Sequence, residues 1–258
     1  MTTNEDLLFE KDGPVGLITF NRPEARNALT FAMYQHLVDI CREPEDLGVK
    51  VLVLTGAGER AFAAGTDIAQ FRSFTTDQHA LDYEAQMDEV LGAIETCPLP
   101  TIAAIAGACT GGGAAIAAAC DLRIATADLK FGFPIARTLG NCLSVANLAR
   151  LTALLGAGRT REIIFTSRLV FAEEAAAVGL VSEVLEDHQA LMRRAGALAE
   201  LLAEQAPLTL RATKEGLRRL AQSEVEDADL ILSCYTSADF REGLEAFLAK
   251  RKPNWQGR

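Results

Sequence analysis

Positive charge is short in this sequence relative to negative. Its 25 lysines and arginines face 35 aspartates and glutamates, for a formal net charge of −10. So acidic a chain lacks the cationic surface that a phosphate backbone requires, which argues against nucleic-acid binding. An anionic ligand would need a local basic patch that the total conceals. None of the six cysteines (Cys41, Cys97, Cys109, Cys120, Cys142, Cys234) forms a Cys-x-x-Cys pair, and the three histidines (His36, His79, His188) are scattered. The chain is therefore expected to hold no metal, and its cysteines read as reduced, buried small residues of a cytoplasmic protein. Long apolar runs are missing too. The longest, around Thr101–Cys120, is broken by Gly107 and Gly111–Gly113 and reads as buried core, not a membrane span. The acidic N-terminus MTTNEDLLFEKDG has no apolar centre, so it does not read as a signal peptide. No Gly-Lys-Ser/Thr follows the glycine run, no G-x-G-x-x-G spacing occurs, and G-x-S-x-G is absent. These absences exclude a phosphate loop, a dinucleotide fingerprint and a nucleophile elbow.

What is present is ordinary globular material, 49% hydrophobic and 23% charged over 258 residues. That suits one large α/β domain, or one domain with an appendage, able to bury roughly 70% or more of its unfolded surface. Leu7–Glu10 and Val15–Asn21 flank the turn Asp12-Gly13-Pro14, which predicts a hairpin. Apolar residues at Phe31, Tyr34, Leu37, Val38 and Cys41 have helical spacing, as do Met87, Val90, Leu91 and Ile94 within Leu81–Thr96. Between them lie the short β-rich runs Lys50–Thr55, Thr101–Ala106 and Leu122–Ala125. Such βα alternation predicts parallel strands with helices outside. From about Leu191 the pattern is helical: Leu191–Glu204, Leu208–Leu220, Glu224–Leu232 and Asp239–Lys250, the last with Asp239 and Glu242 at capping-box spacing. The expected division is an α/β core over 1–190 and a helical region over 191–258.

Two segments read as small-residue loops leaving buried strands: AFAAGTDI (Ala61–Ile68) and IAGACTGGGAAIAAACD (Ile105–Asp121). Glycine admits a ligand close to the backbone and leaves N–H groups unshielded. The Gly111–Gly113 run enters an alanine-rich helix whose first N–H groups favour negative charge. Two such donors aimed at one carbonyl oxygen would form an oxyanion hole. A triple glycine is equally compatible with a tight packing turn.

Six segments, in order and spacing, resemble the enoyl-CoA hydratase/isomerase (crotonase) superfamily: NRPEARNAL, VLVLTGAGERAFAAGTDI, PTIAAIAGACTGGGAAIAAACDLRIA, FGFP, AEEAAAVGLVSEV and EGLEAFLAKRKPNWQGR. The resemblance spans almost the whole chain. It implies an α/β fold, a crotonase-like spiral of repeated ββα/βαβ units with a helical C-terminal trimerisation region, assembled as a homotrimer or a dimer of trimers. It implies an acyl-CoA thioester as partner and substrate, its oxygen held by the backbone N–H groups of Thr66 and Gly112. CoA contacts are implied for Ala25, Arg26, Ala64, Ile68, Phe247 and Lys250, the last two closing from a neighbouring subunit. CoA enters as part of the substrate, and no resident cofactor, membrane or nucleic acid is implied.

The chain departs from the family's hydratases where their two glutamates stand. One position is Ala115, two residues beyond the triplet; the other is Ile135, directly after FGFP. Neither side chain can move a proton. Other polar groups are in reach. Arg137, Asn141, Cys142 and Ser144 follow FGFP, while Glu84 and Asp88, four residues apart, share a helix face that borders the acyl pocket in this family. Each also reads as a solvated, bracing or buried residue with no chemical role, and Asp67 and Asp121 read as loop braces. The leading expectation is an acyl-CoA lyase or isomerase that stabilises a thioester enolate. A catalytically silent acyl-CoA binder and an ordinary 2-enoyl-CoA hydratase stand as alternatives.

Overall fold

The chain crosses repeatedly between two sheets as it advances. A computed structural model describes residues 5–258, so the first four residues of the acidic N-terminal segment lie outside it. Among the described residues the strands are β1 (Leu7–Asp12), β2 (Val15–Phe20), β3 (Val51–Gly56), β4 (Ala61–Ala63), β5 (Thr101–Ile105), β6 (Ala108–Thr110), β7 (Leu122–Thr126), β8 (Lys130–Gly132), β9 (Val170–Phe171) and β10 (Glu183–Leu185). The helices are α1 (Phe31–Arg42), α2 (Asp77–Thr96), α3 (Gly112–Ala119), α4 (Ile135–Thr138), α5 (Val145–Thr166), α6 (Ala172–Ala177), α7 (His188–Ala203), α8 (Pro207–Ala221), α9 (Ala228–Tyr235) and α10 (Ala238–Leu248).

The larger sheet has the order β1-β2-β3-β5-β7-β10, and the smaller β4-β6-β8-β9. The β1–β2 hairpin is antiparallel; from β2 onward the larger sheet is parallel. Because β3, β5 and β7 are each followed by a strand of the smaller sheet, the chain winds as a spiral, one turn per ββα unit. The expected spiral α/β fold is therefore present. The expected elements outside the smaller sheet are present too, with shifted ends, α9 starting at Ala228, not Glu224.

Alternation along buried strands explains the continuous apolar runs. Leu52, Leu54, Ala103 and Ile105 face the main core, shared with α1, α2 and α3. Val51, Val53, Ile102 and Ala104 face the opposite side, where Leu191, Ala195, Leu198 and Ala199 of α7 cover them. The first helix of the helical region thus closes one face of the larger sheet. No helix among the described residues is long and apolar enough to cross a membrane.

Three sequence expectations need correction. Ala61–Ala63 and Ala108–Thr110, read as loops, are short parallel strands; three residues leave no measurable alternation. The cysteines are not uniformly buried: Cys41, Cys97, Cys109 and Cys120 are, Cys142 is exposed and Cys234 partly so. Asp239 is not the cap of α10, because Ser237 Oγ accepts the Phe240 N–H at 2.9 Å. Asp239 is instead buried, and its carboxylate accepts the backbone N–H groups of Gln256 (2.7 Å) and Gly257 (2.8 Å). It clamps the C-terminal tail, with Trp255 Nε1 donating to Glu204 O at 3.0 Å. Asp239→Ala should cost about 2–3 kcal/mol, since two N–H groups lose a charged acceptor. Thermal unfolding should shift down by several degrees, and carboxypeptidase should trim the tail. An unchanged melting curve with a protected tail would contradict the clamp.

Candidate active site

The two glycine segments meet across the gap between the small-sheet strands and α3. Gly65 and Gly111 both have left-handed backbone, with φ of +102° and +53°. A Cβ built on Gly111 would lie 3.4 Å from Gly65 Cα, and one on Gly65 would lie 3.5 Å from Thr110 O. Glycine at both positions lets the segments touch without strain. Gly113 is tighter still, since a Cβ there would overlap the Ala63 backbone.

The loop carrying Thr66 is braced from the preceding motif. Buried Asn27 accepts the Arg22 N–H (3.0 Å) and donates to Ala57 O (3.1 Å) and Ala61 O (2.7 Å). Arg22 Nη1 donates to Ala28 O (2.8 Å) and Asp67 Oδ2 (3.0 Å). The Ala69 N–H and the Arg22 guanidinium hold the Asp67 carboxyl below its ordinary range. Leu29 donates to Gly65 O and accepts from the Asp67 N–H, both at 2.8 Å. In a parallel bridge of this kind the central residue's own N–H points the other way, so the Thr66 N–H faces away from Leu29. Gly112 opens α3, and first-turn N–H groups have no acceptor within their helix. Asp121, at the far end of α3, ties the scaffold together: its Oδ2 accepts from Thr101 N (2.8 Å), Thr101 Oγ1 (2.9 Å) and Lys214 Nζ (2.9 Å).

Thr66 and Gly112 line a cavity of about 180 Å³. Its walls also include Met87, Ala115, Phe133, Ile135, Leu139 and Leu143, so it is mainly apolar. Ala115 and Ile135 are 7% and 8% exposed. Ala64 and Ile68 lie on the same wall. Arg26 and Ala25 sit just outside it in a 3-10 turn, with Arg26 O accepting the Ala64 N–H at 3.0 Å. Phe247 and Lys250, at the end of α10, are exposed and not on this wall; Phe247 borders a separate recess with Trp255.

Behind Thr66 runs a chain of hydroxyls that sequence reading missed. Thr66 Oγ1 bonds to the Tyr34 hydroxyl at 2.8 Å and to the Tyr83 hydroxyl at 2.9 Å. Burial raises the titration of both phenols, so they are neutral near pH 7. Tyr34 reads in the sequence as one apolar residue of an amphipathic helix, and only the fold brings its hydroxyl to residue 66. A Cβ on Gly112 would overlap that hydroxyl.

The remaining candidates separate. Glu84, Asn141 and Cys142 line the cavity. Asp88 and Ser144 do not: Ser144 caps α5 and donates to Asp88 Oδ1 at 2.7 Å, while Arg150 Nη1 lies 3.7 Å from the same oxygen. Arg137 is exposed in α4, off the wall. These three are corrected from pocket-lining groups to surrounding structure: Asp88 and Ser144 are engaged with each other and Arg150, and Arg137 is exposed. Burial first, then the neighbouring Asp88 charge, raises the Glu84 carboxyl above its ordinary range, with the Ser144 N–H acting in the opposite sense.

A two-sheet spiral of ββα turns, with two glycine-bearing segments meeting beside a mainly apolar cavity, is the architecture of the crotonase class of α/β protein. A sequence model of the enoyl-CoA hydratase/isomerase family matches residues 10–258. The short-chain-enoyl-CoA hydratase of Clostridium acetobutylicum is 33% identical over 253 residues, covering 96% of both chains. The crotonyl-CoA hydratase of Syntrophomonas wolfei is 31% identical, covering 97% of this chain and 98% of its own. The crystal structure of an enoyl-CoA hydratase/carnithine racemase from Magnetospirillum magneticum superposes with a TM-score of 0.90 at 33% identity, covering 99% of this chain and 97% of that one. The chain belongs to the enoyl-CoA hydratase/isomerase family.

Gly112→Ala should destabilise the fold, because its Cβ overlaps the Tyr34 hydroxyl. Tyr34→Phe removes that oxygen and leaves the ring Cζ at 3.4 Å from the new Cβ, an ordinary contact. Each single variant should cost about 1–3 kcal/mol, and the double variant should cost less than the sum. Denaturant unfolding of all four proteins checks this; strict additivity would contradict the contact.

Proposed function

We propose that this protein binds an acyl-CoA thioester with its carbonyl oxygen between the backbone N–H groups of Thr66 and Gly112, and stabilises the enolate formed from it. The observation that supports the reading is that Thr66 and Gly112, each next to a glycine at the contact between the two segments, line one mainly apolar cavity. Backbone dipoles preorganised at a developing oxyanion favour the transition state over the ground state. The family membership supplies the substrate class. CoA enters with the substrate, Ala25, Arg26, Ala64 and Ile68 flank its route, and the chemistry calls for no resident cofactor.

Ordinary hydration is not the favoured outcome, although the relatives above are named hydratases. Adding water to a double bond needs one group to take a proton and another to give one. Ala115 and Ile135 occupy the positions the family's hydratases use for that work, and both are apolar. A silent acyl-CoA binder remains the alternative reading, favoured by that apolar shell.

The chain is also read as a homotrimer or a dimer of trimers. Leu217, Leu220, Leu232 and Phe247 are between 56% and 81% exposed on the C-terminal helices. Apolar groups at that density mark an association surface, and Phe247 and Lys250 would then reach CoA from a neighbouring subunit. Removing the chain beyond Leu232 should give monomers or insoluble protein by light scattering; a well-behaved trimer would sink the assembly reading.

Two measurements test the site. Calorimetry and isotope-edited infrared spectroscopy with carbonyl-labelled butyryl-CoA should show binding and a downshifted thioester band. Absence of binding would overturn the reading. Incubation with crotonyl-CoA followed by mass spectrometry should show no gain of water above an enzyme-free control. Hydration there would overturn the role given to Ala115 and Ile135.

A further inference from the structure

Glu84 is the one carboxylate on the cavity wall among the described residues. It stands on α2, next to Tyr83, whose hydroxyl bonds to Thr66 Oγ1 at 2.9 Å. The same residue that would present an N–H to the thioester oxygen is therefore linked through one side chain to Glu84's immediate neighbour. Thr66, Gly112 and Glu84 line one and the same cavity of about 180 Å³. A thioester anchored at Thr66 and Gly112 would have its acyl carbons in the space that Glu84 borders.

Asp88, one turn further along α2, is engaged elsewhere. Ser144 Oγ donates to it at 2.7 Å and Arg150 approaches at 3.7 Å. Arg150 is itself held by Glu95 through two bonds of 2.7 and 2.8 Å. This network keeps a fixed negative charge behind Glu84. Glu84 itself is half-buried, accepts the Ser144 backbone N–H and otherwise borders mainly apolar walls.

We propose that Glu84 is the proton-transfer residue of this site, acting from α2 in place of carboxylates at 115 and 135. The inference rests on the acyl-CoA reading above. Ionised Glu84 removes a proton from the carbon next to the thioester carbonyl, or from the γ-carbon of an enoyl chain. The C–H bond breaks, an O–H bond forms on Glu84, and the electron pair is delocalised onto the thioester oxygen. The protonated carboxyl then returns the proton to the α- or the γ-carbon. Atoms balance with no water, oxidant or second acid. A single carboxylate serving both directions fits a proton shift, that is double-bond migration or α-epimerisation, and not addition of water.

The burial that makes Glu84 costly to ionise also makes it a stronger base once ionised. Burial raises its titration most and the Asp88 charge on its own helix adds to that, while the Ser144 N–H at the start of α5 opposes both; Tyr83 and Cys142 are the other titratable groups that line the cavity with it, and Arg150 stands behind Asp88.

The test is deuterium incorporation into butyryl-CoA and a 3-enoyl-CoA in heavy water, followed by mass spectrometry, alongside the binding and infrared measurements. The wild type should exchange. Glu84→Gln should exchange at least about 10²-fold more slowly, with affinity and carbonyl band shift unchanged. Glu84→Asp should recover part of the rate. Wild-type exchange should fall in acid at a pH above the ordinary carboxylate range, because protonated Glu84 cannot accept. Asp88→Asn should keep the exchange and move that inflection to lower pH, since the charge that raises it is gone. Exchange by Glu84→Gln within a few-fold of wild type overturns the assignment, as does abolition by Asp88→Asn. A wild type that binds and polarises the thioester but exchanges nothing overturns it while leaving the binding reading intact. Failure to bind acyl-CoA at all overturns both.

Discussion

The close approach of two backbones at Gly65 and Gly111 is the constraint on which the site depends. Both glycines take left-handed backbone that a side chain would strain, and a Cβ on the nearby Gly113 would overlap the Ala63 backbone. Thr66 and Gly112 follow directly after these contact points, so the separation of their N–H groups is set by main-chain packing. Much of the surrounding architecture serves that contact. The smaller sheet supplies β4 and β6 as neighbouring parallel strands, which bring the two loops out side by side. Asn27, Arg22 and Asp67 hold one loop from outside, and Asp121 ties the far end of α3 to β5 and α8. Donors fixed in this way need no reorganisation when charge develops near them.

Polarity near the cavity is distributed by depth. Tyr34, Thr66 and Tyr83 satisfy one another, so their hydroxyls cost little to bury. Asp88, Ser144 and Arg150 form a second network at the entrance to α5. Glu84 lies between the two, touching the second only through the Ser144 N–H, and faces an apolar wall with a fixed negative charge one helical turn away. A group in that setting is unfavourable for folding when ionised, and such groups are characteristic of sites where proton transfer is needed. Ala115 and Ile135 line the same cavity and are apolar, so on the proposed reading Glu84 would be its single acid/base centre.

The larger sheet and most of the helices were legible in the sequence because burial leaves a periodic record. The continuous apolar runs of β3 and β5 and the helical spacing in α1 and α2 each reported a face packed on something else. The smaller sheet left no such record, since Ala61–Ala63 and Ala108–Thr110 are too short to show a period. The long helix α5 was passed over because its mixed composition over Val145–Thr166 gives a weak pattern. Asp239 had the right spacing for a cap, but spacing cannot tell that Ser237 was available two residues earlier, or that the tail returns to bind it.

By itself the sequence determined the family, the spiral α/β class, the positions of Thr66 and Gly112 within two glycine-bearing segments, and the apolar residues at 115 and 135. These follow from local composition and ordered motifs, which survive without knowledge of contacts. The tertiary structure alone decided which polar residues share the cavity. Glu84 and Asp88 have the same helical face and the same spacing rule, yet one lines the pocket and the other is bound to Ser144. Tyr34 looks like core in the sequence and ends with its hydroxyl on Thr66. Such distinctions depend on what α5 and the β4 loop bring against each side chain, and contacts between segments 32 to 56 residues apart are set by packing that no local pattern encodes.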